Sequence, residues 1–528
     1  MRRPALPPFI ADLFVVRSAR DALLAGSVAL FAAALDPKVW GPSLPSVQAA
    51  VRDHPQLETL VLFGAVVAAA LLLVGGAIGD SARARPIILG GLTVELLASV
   101  IGILVPEGPV FIATRFIGHA GAAFVIPVSI ALVATSYEGV ARATAIGLAY
   151  GAYGAAGAAA PILLQAVPDQ RWPAFIAAIA ATSLAIWLAR TRVTALAKPT
   201  IAERPYVVGT AIWAFGIITL TVGLTWIGGG LDNPFRWTLI LGGLLVLSLA
   251  LANDRRRRQQ PSGPVRIDRR PVAIAIFVGV VLGISQTAAM MELPLYFHLV
   301  LRYGSALAMI AVGPLFAALI LAGPLAGFLI SRISPRWLVG GGVLVLGVGN
   351  LLLGVVTTSS TPYLAFVIPC LMIGGGFVVA TTVRTAIIFA SVPKGLPATA
   401  AALNEASLSV GARIGIVLVT SVVTEVALAT YTASVAGLPA ADAAQAIAKF
   451  RDILVAIGTP NFSEVASAVG AVDVRPYVEA YAAGLRTVFL LSGAVAIIGG
   501  VAALLAIGRR DPLTTVYDHH DERVPVAA

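Results

Sequence analysis

Gly76-Ala-Ile-Gly-Asp80-Ser-Ala-Arg83-Ala-Arg85-Pro-Ile-Ile-Leu-Gly90-Gly91 and Gly327-Phe-Leu-Ile-Ser331-Arg332-Ile-Ser-Pro-Arg336-Trp-Leu-Val-Gly-Gly341-Gly342 are the two stretches that decide the fold. Gly76, Arg85 and the Gly90-Gly91 pair match Gly327, Arg336 and the Gly341-Gly342 pair at one fixed offset. Each stretch is a short polar interruption between two long apolar runs. The fifth apolar run carries Gly147-xxx-Gly151, and the thirteenth carries Gly411-xxx-Gly415 at a nearby offset. A lone GxxxG is common in apolar helices. Several correspondences in one register imply a duplicated helical unit.

The chain around these stretches is 58% hydrophobic and 12% charged over 528 residues, with mean hydropathy +0.92. A water-soluble surface usually needs about 25% charged residues. This chain therefore belongs in a bilayer. One cysteine, Cys370, excludes a disulfide framework and a cysteine metal cluster. The formal charge of +10 comes almost wholly from arginine, since only Lys38, Lys198, Lys394 and Lys449 are lysines. These charges fall in short clusters between apolar runs, which is a topology signal and a poor nucleic-acid footprint. The alanine and arginine bias points to a GC-rich bacterial genome.

Apolar runs long enough to span number about fourteen: 22–48, 57–79, 86–105, 108–134, 143–167, 172–190, 206–228, 236–252, 271–297, 305–331, 337–357, 361–391, 396–427 and 484–507. With both termini cytoplasmic, the inside segments collect Arg17, Arg20, Arg83, Arg85, Arg142, Arg190, Arg192, Arg255 to Arg258, Arg332, Arg336, Arg384 and Lys394, among others. The outside segments are poor in basic residues, as the positive-inside rule requires. The expected organisation is a first six-helix half over 1–205, an inserted helix pair and basic linker over 206–270, a second six-helix half over 271–508, and a cytoplasmic tail over 509–528. An exterior segment, 428–483, contains a helix-like stretch from Ala440 to Ile457 and reads either as a surface cap or as a substrate- or partner-handling element.

Two motifs carry a family resemblance. The first run contains Leu35-Asp36-Pro-Lys-Val-Trp-Gly-Pro-Ser-Leu-Pro45, and the fourth contains Arg115-Phe-Ile-Gly-His119-Ala-Gly121-Ala-Ala-Phe-Val-Ile-Pro127. Together with the 6 + 2 + 6 arrangement and the polar loop after the second helix of each half, they resemble the major facilitator superfamily. The nearest likeness is to its fourteen-helix drug:proton antiporter branch. The chain departs from the branch in detail. Ser81 and Arg83 replace residues of the loop motif, and the antiport motif of the fifth helix is reduced to Pro161 and a ladder of Gly147, Gly151, Gly154 and Gly157. The resemblance implies an all-α polytopic fold with a central cavity, and a secondary transporter exporting small amphiphilic or cationic compounds against protons. A lipid or metabolite facilitator, or a non-transporting adaptor of the same fold, remains the alternative.

A charge at bilayer depth costs about 2.5–3.5 kcal/mol on insertion scales, so it marks a cavity or a partner. Asp36, Lys38, Glu95, Arg115, Glu292, Glu405 and Arg413 are the charges so placed. Asp36, Arg115, Glu292 and Glu405 are the expected cavity and coupling residues, with Glu292 foremost. Glu95 reads equally as structural, lipid-facing or functional. Glu405 and Arg413 share a helix side but lie too far apart to pair. Gly76, Asp80, Arg85 and Arg336 are the expected cytoplasmic gate; the glycine ladder and Pro161 are expected to pack helices. No phosphate loop, nucleophile elbow or metal-spaced ligand set occurs, so neither metal nor cofactor is expected. The expected partners are a small-molecule substrate, a proton and membrane lipid, without nucleic acid. The protein is expected to be a monomer in a bacterial inner (plasma) membrane.

Overall fold

The computed structural model describes residues 12–39, 71–80, 83–105, 108–165, 172–193, 207–225, 234–257, 269–392, 395–437, 439–458 and 475–507. Among them every long element is an α-helix. We label α1 Arg17–Val39, α3 Ala84–Leu104, α4 Gly108–Thr135, α5 Gly139–Gln165 and α6 Trp172–Arg192, with α2 described over Leu71–Asp80. Then come α7 Val207–Thr225, α8 Pro234–Arg257, α9 Arg269–Leu299, α10 Gly313–Leu329, α11 Pro335–Val356, α12 Leu364–Ser391, α13 Pro397–Ser434, α14 Ala440–Gly458 and α15 Arg475–Ala506. Eleven of the described helices are long and apolar enough to cross a membrane. The remaining three expected runs coincide with α2, α7 and α8, so fourteen stands as an approximate count.

The two sets of six helices make corresponding contacts. α1 packs on α4, α5 and α6 while α9 packs on α12, α13 and α15; α3 lies against α4 and α6 as α11 lies against α12 and α15. The repeated glycine pairs explain part of this. A β-carbon on Gly91 would sit 2.8 Å from the Gly121 carbonyl oxygen, and one on Gly342 would sit 2.8 Å from that of Gly376. The second glycine of each pair is thus a backbone crossing point with the fourth helix of its own half, whereas Gly90 and Gly341 face open space. Small residues allow such approach where no hydrophobic force drives helices together. The pair α7–α8 packs chiefly on itself and touches the bundle through α7 against α13.

Between the halves, α5 packs along α10, α4 on α13, and α5 on α12. The α5–α10 crossing is closest at Gly147, whose β-carbon would fall 2.0 Å from the Gly323 carbonyl oxygen. Gly151, Gly154 and Gly157 continue the same seam against Ile320, Leu319 and Phe316. Pro161 lies inside α5 beyond this ladder. Gly411 and Gly415, the sequence counterparts of Gly147 and Gly151, instead pack inside their own half, on Val280 and Ile284 of α9. The matched motif therefore serves two different neighbours.

The segment expected outside, 428–483, is shorter than its apolar limits suggest, because α13 continues to Ser434 and α15 begins at Arg475. The reason is aromatic. Tyr431 of α13 lies 4.4 Å from Phe450 of α14 and 4.8 Å from Tyr477 of α15, ring centre to ring centre. These contacts bury the outer turns and extend both helices past the apolar run. Residues 459–474, the tail expected in the cytoplasm (509–528), Lys394 and the Lys38 side chain lie outside the described residues.

Candidate functional site

Three buried polar clusters stand inside the helical bundle. The first joins α1, α3 and α4. Arg115 Nη1 lies 3.4 Å from Asp36 Oδ2, and Ser99 donates a short hydrogen bond to Asp36 Oδ1. Arg115 also donates to the Ala98 carbonyl, and its guanidinium lies 5.6 Å from the Phe111 ring centre. Gly102 makes room for it, since a β-carbon there would be 2.6 Å from Arg115 Nη2. His119, one turn on along α4, has Nδ1 2.6 Å from the Arg115 carbonyl oxygen. A carbonyl only accepts, so Nδ1 carries the proton of this contact. Glu95 is 0% exposed. Neither of its oxygens has a hydrogen-bond partner among the described residues, and it lies in the field of Asp36 and Arg115. Its full burial removes the lipid-facing reading.

The second cluster crosses from one half to the other. Tyr150 of α5 donates to Glu405 Oε1 of α13 at 2.6 Å, and its hydroxyl lies 3.2 Å from that of Thr385 on α12. Asn404 donates to both Tyr150 (2.6 Å) and Glu405 (3.0 Å). Behind them lies Arg384, 0% exposed, which donates to the Ala275 carbonyl, the Asn404 carbonyl and the Ser407 hydroxyl at 3.1, 3.2 and 2.7 Å. Arg384 was expected in a cytoplasmic segment. The helix α12 runs seven residues beyond it, and Gly279 opens a slot for its guanidinium: a β-carbon there would be 1.8 Å from Arg384 Nη1. Tyr150 and Arg384 were not singled out by the sequence. The readable signal for Arg384 was its place before an apolar stretch, Thr385 to Ser391, long enough to carry the helix on.

The third cluster pairs Glu292 of α9 with Tyr481 of α15, which donates to Glu292 Oε2 at 2.8 Å. Both belong to the second half, and Glu292 is not brought together with Asp36 or Arg115. Arg413 of α13 is half-buried, its Nε is enclosed without a partner among the described residues, and it lies in the field of Tyr153 and His119.

The expected gate residues separate into distinct roles. Asp80 accepts the backbone N–H groups of Ala398 (2.7 Å) and Thr399 (2.9 Å), the first turn of α13. It thereby caps a helix of the other half, satisfying two donors that every helix start leaves open. A β-carbon on Gly76 would fall 2.5 Å from that of Ala402, so α2 and α13 are in close contact here. Arg85 instead donates to the Arg190 carbonyl at the end of α6 (2.7 Å), and the Arg336 guanidinium lies 5.7 Å from the Trp337 ring centre. Ser331, at the place of Asp80 in the second half, donates to the Phe328 carbonyl of its own helix.

Known proteins share this architecture. The chain is 28% identical over 389 residues to the cephamycin export protein of Amycolatopsis lactamdurans, covering 70% of this chain and 78% of that one. It is 29% identical over 427 residues to the puromycin resistance protein of Streptomyces alboniger, covering 77% and 82%. It is 26% identical over 460 residues to the methyl viologen resistance protein of Salmonella typhimurium, covering 84% and 88%. Among solved structures, the human organic anion transporter MFSD10 superposes with a TM-score of 0.58 at 15% identity, over 94% of this chain and 100% of that one. The proton:xylose symporter XylE does so at 0.53 and 14%, over 92% and 94%. The sequence profile of the Major Facilitator Superfamily matches residues 26–416. With that match and this bundle, the chain belongs to the Major Facilitator Superfamily of membrane transporters.

Proposed function

We propose that this protein exports small amphiphilic compounds across a bacterial plasma membrane in exchange for protons, with both termini cytoplasmic. The export proteins and resistance proteins it is similar to support the direction and the class of cargo. The bond between Tyr150 and Glu405 carries the coupling part of the reading, because its two ends belong to different halves. Alternating access rocks one half against the other around a midplane site. A carboxylate whose partner sits on the opposite half changes its surroundings with every swing. Dry surroundings favour its neutral form, whereas water or donated hydrogen bonds favour its charged form. Asp36 and Arg115 form the corresponding charged pair of the first half, and Glu292 with Tyr481 is a secondary candidate inside the second.

In proteoliposomes with an imposed pH gradient, the wild-type protein should accumulate dansylglycinamide, a neutral amphiphile. Glu405→Gln should abolish accumulation against a gradient and spare downhill exchange. Unchanged concentrative transport in that variant would remove Glu405 from coupling, and the same measurement on Glu292→Gln would decide the secondary site. A protein that moves no amphiphile in either direction would favour the adaptor alternative.

A further inference from the structure

Arg413 is the basic group at bilayer depth that the clusters above leave without a hydrogen bond or ion pair among the described residues. It sits sixteen residues into α13, about 24 Å along the helix from Pro397 at 1.5 Å per residue. Gly411 and Gly415 turn one side of α13 onto α9, and Glu405 turns another onto Tyr150 of α5. Arg413 lies away from the α9 side and in the field of His119 on α4 and Tyr153 on α5, across the boundary between the halves. Asp36 is held by Arg115 and Ser99, and Glu405 by Tyr150 and Asn404. Another deep arginine, Arg384, donates from its two terminal nitrogens to two carbonyls and a hydroxyl. Arg413 makes no hydrogen bond or ion pair with any described residue, and its Nε is enclosed.

An unpaired guanidinium in a low-dielectric site is costly, so such groups face a cavity or a ligand. Its planar fork fits a carboxylate or sulfonate in two parallel hydrogen bonds. We propose that Arg413, at the boundary between the halves, forms a subsite for an anionic group, so that the preferred cargo is an amphiphile carrying a carboxylate. This rests on the export reading and narrows its substrate class away from purely cationic compounds.

The test uses a matched pair of probes, dansylglycine and its neutral amide, on the purified full-length protein. By direct binding, the wild type should prefer the carboxylate about tenfold, the scale of one charge-assisted hydrogen-bonded pair. Arg413→Gln should bring the carboxylate down to the affinity of the amide while leaving the amide unchanged, and Arg413→Lys should retain part of the preference. A wild type that treats the probes alike, or binds neither, overturns the subsite, as does an Arg413→Gln variant that weakens both equally. Downhill efflux of the amide from proteoliposomes reports separately on export. Its loss in the wild type would sink the export reading, whereas its persistence without anion preference would sink only the subsite.

Discussion

At the scale of single residues, the chain uses missing side chains to bury its arginines. Arg115 reaches the Ala98 carbonyl and needs Gly102; Arg384 reaches the Ala275 carbonyl and needs Gly279. In both cases the glycine follows the accepting residue by one helical turn, which exposes that carbonyl to a side chain from a neighbouring helix. Gly279→Ala should therefore force Arg384 off its three acceptors and lower stability by about 1–3 kcal/mol, the usual cost of overpacking. Thermal unfolding of the purified variant measures this. Gly90→Ala is the matched control, because nothing lies within 4 Å of the added carbon. Equal melting temperatures for the two variants would show that Arg384 repacks without penalty.

At the scale of helices, one carboxylate of α2 bridges the halves by accepting from the first turn of α13. Asp80 caps α13, while its counterpart Ser331 bonds within its own segment. The contact exists only while α2 and α13 touch, so it weights the state closed at that end. Loss of a cap costs about 0.5–2 kcal/mol. Asp80→Ala should shift the resting population by that amount and slow turnover, leaving the affinity for dansylglycinamide largely unchanged. An equal loss of affinity and turnover would place Asp80 in a substrate site instead. The far end of α13 is held differently, by the packed rings of Tyr431, Phe450 and Tyr477. Phe450 is buried, and Phe450→Ala should cost about 3–5 kcal/mol if the cap unfolds with the bundle. Proteolysis confined to the α14 region, with the melting temperature preserved, would show instead that the cap is an independent lid.

At the scale of the whole molecule, we propose from the arginine pattern that α14 lies on the exterior and the linker after α8 on the cytoplasmic side. A cysteine at Ala436 should react with an impermeant maleimide from outside in a Cys370→Ser background, and one at Ser262 only from inside. The reverse would overturn the orientation. With α5 and α10 joined along the Gly147–Gly323 seam and α2 latched to α13, movement of one half against the other must break backbone-close contacts. Gly147→Val should lock or dissociate the halves, and transport should fall while each half retains its helices by circular dichroism.

Composition alone placed this chain in a membrane, because a surface with 12% charge cannot be solvated. Apolar length drew the helices, and the duplicated glycine-arginine stretches mark two related halves. Those signals are local, arising from neighbours along one helix or one loop. The buried charges at Asp36, Arg115, Glu292 and Glu405 were also legible, since an ionised group in an apolar run stands out wherever the helix points. Their partners were not. Tyr150, Tyr481 and Arg384 become meaningful only when α5, α15 and α12 are packed, because their partners lie on helices distant in sequence. The same holds for Asp80, which sequence pairs with Arg85 nearby and the fold pairs with the first turn of α13. Which groups lie on one face follows from helical period; which faces meet is decided by the packing of distant segments, and only the tertiary structure carries that.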